Sequence, residues 1–435
     1  MIKTLKIENF RSVEQQTIDL APLTFLYGNN AAGKSSLFYS LNVLRNIVSN
    51  SNQAVDAFFN LGFANLGSFE QVVFKHDDAR DIGITVGAKI SNVDVEYGVQ
   101  LSQKEGEFSL HLGAPYDLSL NLPVTFPYPI NGNAKGFLVF EEVTYNVSWN
   151  GIVAQVTPAT ATEQTTQKAE EIVILLNSVA ELIRSIDVVP LRRGFSRPQY
   201  GAVNVAQFPI TEEEVASMLI SDKYLDGKVS TYLEQTIDRQ FRTKTTLGTS
   251  QAALTTIEKL LKNTSDIVNE GFGVNQLVYL LAKTLNKKAK TLCIEEPEIN
   301  LHPGVVRRLP KTLLEIVKDE KKQLLISTHS EALIVALLSA VAGGEVSAED
   351  IAFYLTKRPS GVTSFDKQKI TEEGQVEGGL KSFMAGELED IEAFLKPKRN
   401  KKQKKENNDD GENLSTAVGM TSPSIEIVDE PQKEQ

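Results

Sequence analysis

The sequence predicts an α/β fold: a mixed sheet packed by helices, with an antiparallel β subdomain inserted in its first half and a helical lobe in its middle. Three observations carry this. Apolar strands at residues 23–27, 291–294 and 323–327 are each followed by a helically patterned stretch, and strands alternating with helices at this spacing build parallel sheets. Between residues 82 and 149 the texture changes to short alternating runs punctuated by Gly, Pro and Asn, the pattern of hairpins. The first apolar strand also runs straight into a Gly-rich loop that opens a helix.

In chain order, residues 1–8 alternate through Ile2, Leu5 and Ile7 and read as a strand, with a second short one at 17–20. Strand 23–27 leads through residues 28–36 into a helix at 37–48. Residues 82–90, 93–101, 107–112 and 136–149 supply the hairpins. An apolar stripe through Ile172, Leu175, Leu176, Val179, Leu182 and Ile183 marks a helix over 165–186. Further helices are expected at 211–220, 228–241, 251–261 and 274–285. The last part alternates strand 291–294, helix 304–319, strand 323–327 and helix 330–341, then a hairpin from 351–356 and 362–367.

Composition bounds the class. The 435 residues carry 45 Lys+Arg against 56 Asp+Glu, a net charge of −11. Such a balance argues against a chain coated in basic charge for nucleic acid, though a local basic groove remains compatible with it. The single cysteine, Cys293, excludes a disulfide framework and a cysteine-rich metal site. It is expected to face the core as a small hydrophobe. The N-terminus lacks the apolar core of a signal peptide. The longest apolar run, 332–342, falls well short of the ~20 residues that span a bilayer. A cytoplasmic chain with no membrane span is expected. Residues 396–405 hold seven cations, and 406–435 hold eight acids against Lys433. This tail is expected to be disordered, and its charges nearly cancel, so residues 1–395 keep the whole −11.

Chemistry concentrates in a few motifs. Gly28, Asn29, Asn30, Ala31, Ala32, Gly33, Lys34 and Ser35 fit G-x-x-x-x-G-K-[ST], with Ser36 following. Glycines let the backbone curl so that N–H groups point at phosphate oxygens, and the helix start adds its positive end. Lys34 is placed for the β- and γ-phosphates of ATP and Ser35 for Mg²⁺. Strand 291–294 ends in Glu295 and Glu296. Beside a phosphate loop, one carboxylate is expected to hold the metal (Glu295) and the next to orient the attacking water (Glu296). Strand 323–327 leads to His329, placed to sense a γ-phosphate. Gly271 and Gly273 open the helix at 274–285 as a weaker anion-facing cap.

The order of these motifs resembles the ATP-binding-cassette type of ATPase. More narrowly, the chain is similar to the AAA-type ATPases of the overcoming-lysogenization-defect (OLD) group and related RecF/SMC-like proteins. The carrying residues are Ile7–Ser12 (IENFRS), Gly28–Ser36 (GNNAAGKSS), Asn269–Gln276 (NEGFGVNQ), Ile294–Pro303 (IEEPEINLHP) and Ser327–Ser330 (STHS). The resemblance covers most of residues 1–370. It implies a P-loop ABC-type ATPase fold, ATP and Mg²⁺ as ligands, and a homodimer or higher oligomer that sandwiches ATP. In that arrangement Gly271, Gly273, Asn275 and Gln276 of one chain meet the γ-phosphate held by another. Asn275 stands where the family commonly has serine, and Glu295 where it commonly has aspartate. The resemblance also implies a nucleotide-side role for Arg11 and a Mg²⁺-watching role for Gln71. Pro190-Leu191-Arg192-Arg193 matches a group element whose role the sequence does not disclose.

Residues 1–395 are expected to form the ATPase unit, with the β-rich subdomain at 82–150, the helical lobe at 165–290, the paired-acid and histidine part at 291–370, and the tail at 396–435. The stretch after residue 371 has no room for the Toprim nuclease domain of OLD nucleases, and there is no heptad run for a chromosome-type arm. Three functions fit. One is an ATPase controlling a separately encoded effector, such as a nuclease, in antiviral defence. Another is a repair or recombination ATPase clamping DNA directly. The third is a nucleotide-binding scaffold that does not hydrolyse.

Overall fold

The computed structural model describes residues 1–245 and 251–379. From the N-terminus come β1 (Ile2–Phe10), β2 (Val13–Asp19), β3 (Leu23–Tyr27), helix α1 (Lys34–Ser49) and the single turn α2 (Phe69–Val72). Strands β4 (Ile82–Ile90), β5 (Val93–Leu101), β6 (Glu105–Leu112) and β7 (Leu118–Thr125) follow, then β8 (Ala134–Phe140), β9 (Val143–Trp149) and β10 (Ala154–Pro158). Next are α3 (Glu163–Arg184), β11 (Ile186–Val189), β12 (Gln199–Gly201), α4 (Glu212–Ser221), α5 (Lys223–Ile237), β13 (Arg239–Thr245), β14 (Gln251–Glu258) and β15 (Thr264–Asp266). The last group is α6 (Phe272–Leu285), β16 (Thr291–Glu295), α7 (Pro303–Val306), α8 (Leu309–Asp319), β17 (Gln323–Thr328), α9 (Glu331–Ala342), β18 (Ile351–Lys357) and β19 (Ser364–Gln368).

Among the described residues the central sheet has the order β11-β16-β17-β3-β18-β19. The first five strands run parallel and β19 closes the edge antiparallel, so the sheet is mixed, as expected. Both of its faces are covered, which is why its inner strands β3, β16 and β17 are buried along their whole length rather than alternating. Leu26, Cys293 and Leu325 point to the side packed by α1, α3 and the β subdomain. Phe25, Ile294 and Ile326 point to the side packed by α6, α8 and α9. Each such fully buried side chain contributes about 1.5–3 kcal/mol. Cys293 is wholly buried, and desolvation pushes its thiol well above the ordinary range, in keeping with a packing role.

Register positions the site. Both β3 and β16 pair with β17, Tyr27 opposite Thr328 and Glu295 opposite Ser327. Three strand ends that are far apart in sequence therefore emerge at one edge of the sheet. In open α/β sheets ligands bind outside the carboxyl ends of the strands.

The β subdomain is a six-stranded antiparallel sheet of order β2-β1-β4-β5-β6-β7, backed by the three-stranded β10-β9-β8 sheet. Its edge strand β7 alternates buried and exposed over its full length, whereas the central β4 is buried along most of its length. Strands β7 and β10 were not expected from the sequence. Pro123 and the flanking prolines at 115, 127 and 158 mask them, yet Pro123 is tolerated opposite Glu107 on an edge strand.

Three expectations need correction. Residues 251–261 form not a helix but strand β14, paired with β12, β13 and β15. The spacing of Leu254, Ile257 and Leu261 mimics a helical stripe, but Leu261 is 67% exposed and Leu260 88%. Thr255, Thr256 and Ile257 are β-branched and favour the pleated ladder. The helical lobe thus contains a small antiparallel sheet. The helix expected at 228–241 ends at Ile237, where Asp238 turns left-handed (φ 58) and Phe241 enters β13. That expected at 304–319 is broken into α7 and α8, because Pro310 can occupy only the first turn of a helix. The described residues fall in one compact unit. The expected boundary at 395 and the tail at 396–435 lie outside the described residues. No described helix is long and apolar enough to cross a membrane.

Candidate active site

The phosphate loop is built by enforced glycines. Gly28 leaves β3 at φ 146, and a Cβ there would lie 2.3 Å from the Thr356 carbonyl oxygen on β18. Gly33 caps α1 at φ 103, and its Cβ would meet Thr363 Oγ1 at 2.2 Å. Thr363 in turn donates to the Ala32 carbonyl (2.8 Å) and bonds Ser12 Oγ (2.8 Å), which braces the loop from outside. Asn29, Asn30 and Ala31 are exposed on the crest, Ser35 is half-buried, and Ser36 is buried behind it. Ala31 is left-handed at φ 61. Lys34 is 8% exposed, and its Nζ donates to the carbonyls of Gly28 (2.8 Å) and Asn29 (3.0 Å). Burial pulls its pKa down, opposed by Glu296 and Glu298. The ammonium is thus held over the loop at a desolvation cost that an anion between the two would relieve.

Glu295 ends β16 buried, and Glu296 follows in the left-handed region at φ 43. Its backbone N–H donates to Ser327 O (2.9 Å). Its carboxylate Oε1 lies 3.1 Å from His329 Nδ1, so the expected acid and histidine do meet. The phosphate loop and both acids line one cavity of about 480 Å³. Arg11 lines it too, left-handed at φ 55 and stacked over Tyr39 (5.1 Å). Burial lowers its pKa, while Tyr39 and Glu295 oppose the shift.

Sequence reading overlooked two residues here. Tyr39 lines the cavity beside Ser35 and Glu295, and burial first, then Glu295, pushes its pKa up to about 12. It stands one helical turn after Ser35, the only signal that could have flagged it. Arg358 also faces the cavity, its guanidinium 3.4 Å from the Ala31 carbonyl. With Arg11, Lys34 and Arg192, the cavity wall carries four cations in a chain of net charge −11.

The site fits nucleotide phosphates and Mg²⁺ chemically. Ser35 and Glu295 line the same cavity wall beside Tyr39, so a hydroxyl and a carboxylate face one space. Among the described residues no cluster of three acidic, His or Cys groups could hold a metal alone. Mg²⁺ needs none, since it takes one or two protein oxygens and completes its shell with phosphates and water.

The signature residues lie elsewhere. Gly271, Asn275 and Gln276 line a second hollow with Arg193 and Phe272. Gly271 has nothing within 4 Å of its Cβ direction, whereas a Cβ at Gly273 would lie 2.4 Å from the Asn300 carbonyl oxygen. Gln276 Oε1 accepts from Asn300 Nδ2 (3.3 Å). Asn275 departs from the expected phosphate contact. Its amide is buried, accepting from Phe195 N (2.7 Å) and donating to Phe195 O (2.8 Å) and Ile267 O (3.3 Å). That inventory leaves no donor free. Gln71 departs as well. It closes a capping box on α2, taking the Ser68 N–H at 3.1 Å, and does not line the cavity.

A strand–glycine loop–helix cradle facing two carboxylates at the end of one parallel strand defines a phosphate-loop nucleotide-binding protein. More narrowly, the chain belongs to the AAA ATPase domain family, whose model matches residues 1–181 and 206–334. No curated protein matches the sequence. Among solved structures, the SMC head domain from Thermotoga maritima is similar at 10% identity and TM-score 0.43, covering 84% of this chain and 98% of that one. An Smc head bound to the C-terminal winged-helix domain of ScpA scores 0.49 at 10% identity, covering 85% and 98%. An Smc head with an extended coiled coil, bound to the C-terminal domain of ScpA from Pyrococcus furiosus, scores 0.39 at 11%, covering 90% and 99%.

Proposed function

We propose that this chain binds ATP with Mg²⁺ in the cavity between the phosphate loop and Glu295–Glu296 and hydrolyses it, with two copies closing over two nucleotides. The observation that carries the reading is convergence: Lys34, Ser35, Arg11, Glu295 and Glu296 come from separate segments of the chain to line one cavity. Bound Mg²⁺ would supply charge neutralisation for the phosphates during phosphoryl transfer. Ser35 and Glu295 are the residues to hold it. Lys34 and Arg11, with Arg358 and Arg192, supply positive charge around the phosphates. Glu296 accepts a hydrogen bond from the attacking water and orients it, while His329, 3.1 Å from the same carboxylate, limits its rotation.

The start of α6 supports the dimer reading. Its N-terminal N–H groups have no side-chain cap, Gly271 is open, and Phe272 beside it is 79% exposed. A helix N-terminus of this kind favours an anion, and the γ-phosphate of a second copy is the anion that the arrangement fits. Closure by that contact and opening on hydrolysis would make the dimer a nucleotide-dependent switch, suited to controlling a separate effector such as a nuclease in antiviral defence.

Glu296→Gln tests this directly. The amide keeps the shape but not the acceptor charge. Turnover is expected to fall by about 10²–10⁴-fold, with ATP binding retained and the ATP-bound dimer accumulating in light scattering coupled to size exclusion. Wild-type turnover in this variant would falsify the assignment of Glu296.

A further inference from the structure

Arg193 lies outside the nucleotide cavity, and nothing in the reading above uses it. Its guanidinium is buried and forked. One terminal nitrogen donates to the Glu295 carbonyl (2.7 Å) and to Pro190 O (3.1 Å), and the other to the Glu296 carbonyl (2.7 Å). The two acids thus present their backbones to one side chain while their carboxylates face the opposite way, into the cavity. Glu296 is left-handed, which a residue with a Cβ avoids unless its surroundings impose it. Two charge-assisted bonds to consecutive carbonyls fix the peptide planes on both sides of Glu296 and supply that constraint.

The same segment reaches the other half of the molecule. Gly194, at φ 128, packs its Cα against Asn275, and Phe195 exchanges backbone hydrogen bonds with the Asn275 amide. A second link runs from the acids through Asn300 to Gly273 and Gln276. Behind the fork, Arg193 Nε and Glu298 Oε2 are both buried with no hydrogen-bond partner. Glu298 is the strongest charge influence on the arginine, and its other oxygen accepts from Thr328 on β17.

We propose that Arg193 is a positioning residue for Glu296: its fork holds the left-handed turn that aims the acid, and through Gly194–Phe195 it ties that aim to the start of α6. This rests on the reading of Glu296 as the water-orienting acid, and it adds a physical route by which contact at α6 alters the acid. A lysine at this position keeps the charge and the apolar stem but has a single ammonium in place of the planar fork, so it cannot span two carbonyls in fixed geometry.

The test uses the full chain as wild type, Arg193→Lys, Glu296→Gly and the double variant. Misplacement of a reacting group by about 1 Å can cost about 100-fold, so Arg193→Lys is expected to lower kcat by that order with affinity for a fluorescent ATP analogue unchanged. Without nucleotide, Arg193→Lys is expected to lower the melting temperature. Glycine adopts the left-handed turn without the fork, so Glu296→Gly is expected to be more favourable in the Arg193→Lys background than alone. Additive melting shifts, or kcat and affinity falling together, overturn the proposal. Wild type that melts as described but does not turn over ATP would sink the ATPase reading and leave the fork's hold on the turn standing.

Discussion

Two glycine-rich turns at helix starts behave differently in this molecule. The phosphate loop at 28–36 is enclosed: its glycines sit at φ 146 and 103, walled by Thr356 and Thr363, with a buried lysine bonded across it. The turn at 271–276 is open at Gly271, which has nothing within 4 Å, and closed only at Gly273. Its Asn275 amide is spent on backbone partners within the fold. The first turn is a complete cradle within one chain. The second offers uncapped helix N–H groups and carries no cation of its own, so in the dimer proposed above it would supply half of a site. Similar composition therefore serves two tasks, and what distinguishes them is what the neighbouring strands place around each.

Breaking the enclosed turn should have the larger effects. Lys34→Ala removes the cation bonded to the loop carbonyls of Gly28 and Asn29. ATP affinity by isothermal titration calorimetry is expected to fall about 100-fold or more, since hydrogen bonds to charged groups are worth about 1.5–3 kcal/mol each. Affinity within a few-fold of wild type would show that the cradle does not depend on its lysine. Gly28→Ala should come next. The new methyl meets the Thr356 carbonyl at 2.3 Å in a conformation that disfavours any Cβ, and strain plus displacement of β18 should cost about 3 kcal/mol. Chemical denaturation would register this even without nucleotide.

Gly271→Ala sharpens the contrast by its smallness. With open space at that position, monomer stability should stay within about 0.5 kcal/mol of wild type, and ATP affinity of the isolated chain should not move. Only the concentration dependence of turnover, which reads the meeting of two copies, is expected to weaken. A large drop in melting temperature would mean that the turn is structural after all.

The contrast also marks what was legible in the sequence. The phosphate loop and the Glu295–Glu296 strand end were legible because their chemistry sits in contiguous residues with fixed covalent spacing. The strand 23–27 and the helix after it carry unambiguous periodicity, and hairpins such as Ile82–Ile90 with Val93–Leu101 announce themselves through alternation and an Asn turn. Residues 251–261 were misread because Leu254, Ile257 and Leu261 satisfy a helical stripe locally, while pairing with Arg239–Thr245, more distant in the chain than any helical turn, decided for a strand. Gln71 fitted a family position by type and Asn275 by place only, where serine is common, and their hydrogen bonds went elsewhere because nearby backbone groups needed partners.

The sequence by itself determined the phosphate loop, the order of strands and helices around it, and the acids at the end of the strand Thr291–Glu295, because these follow from local spacing and periodicity. Only the tertiary structure decided that those acids face that loop, since register through Gln323–Thr328 brings the two strands beside a common neighbour. Only the fold, too, gave Tyr39, Arg358 and Arg193 their partners. Arg193 reaches the Glu295 carbonyl across 102 positions of sequence. No spacing rule encodes such a contact, because buried carbonyls take whichever donor packing brings within hydrogen-bonding distance.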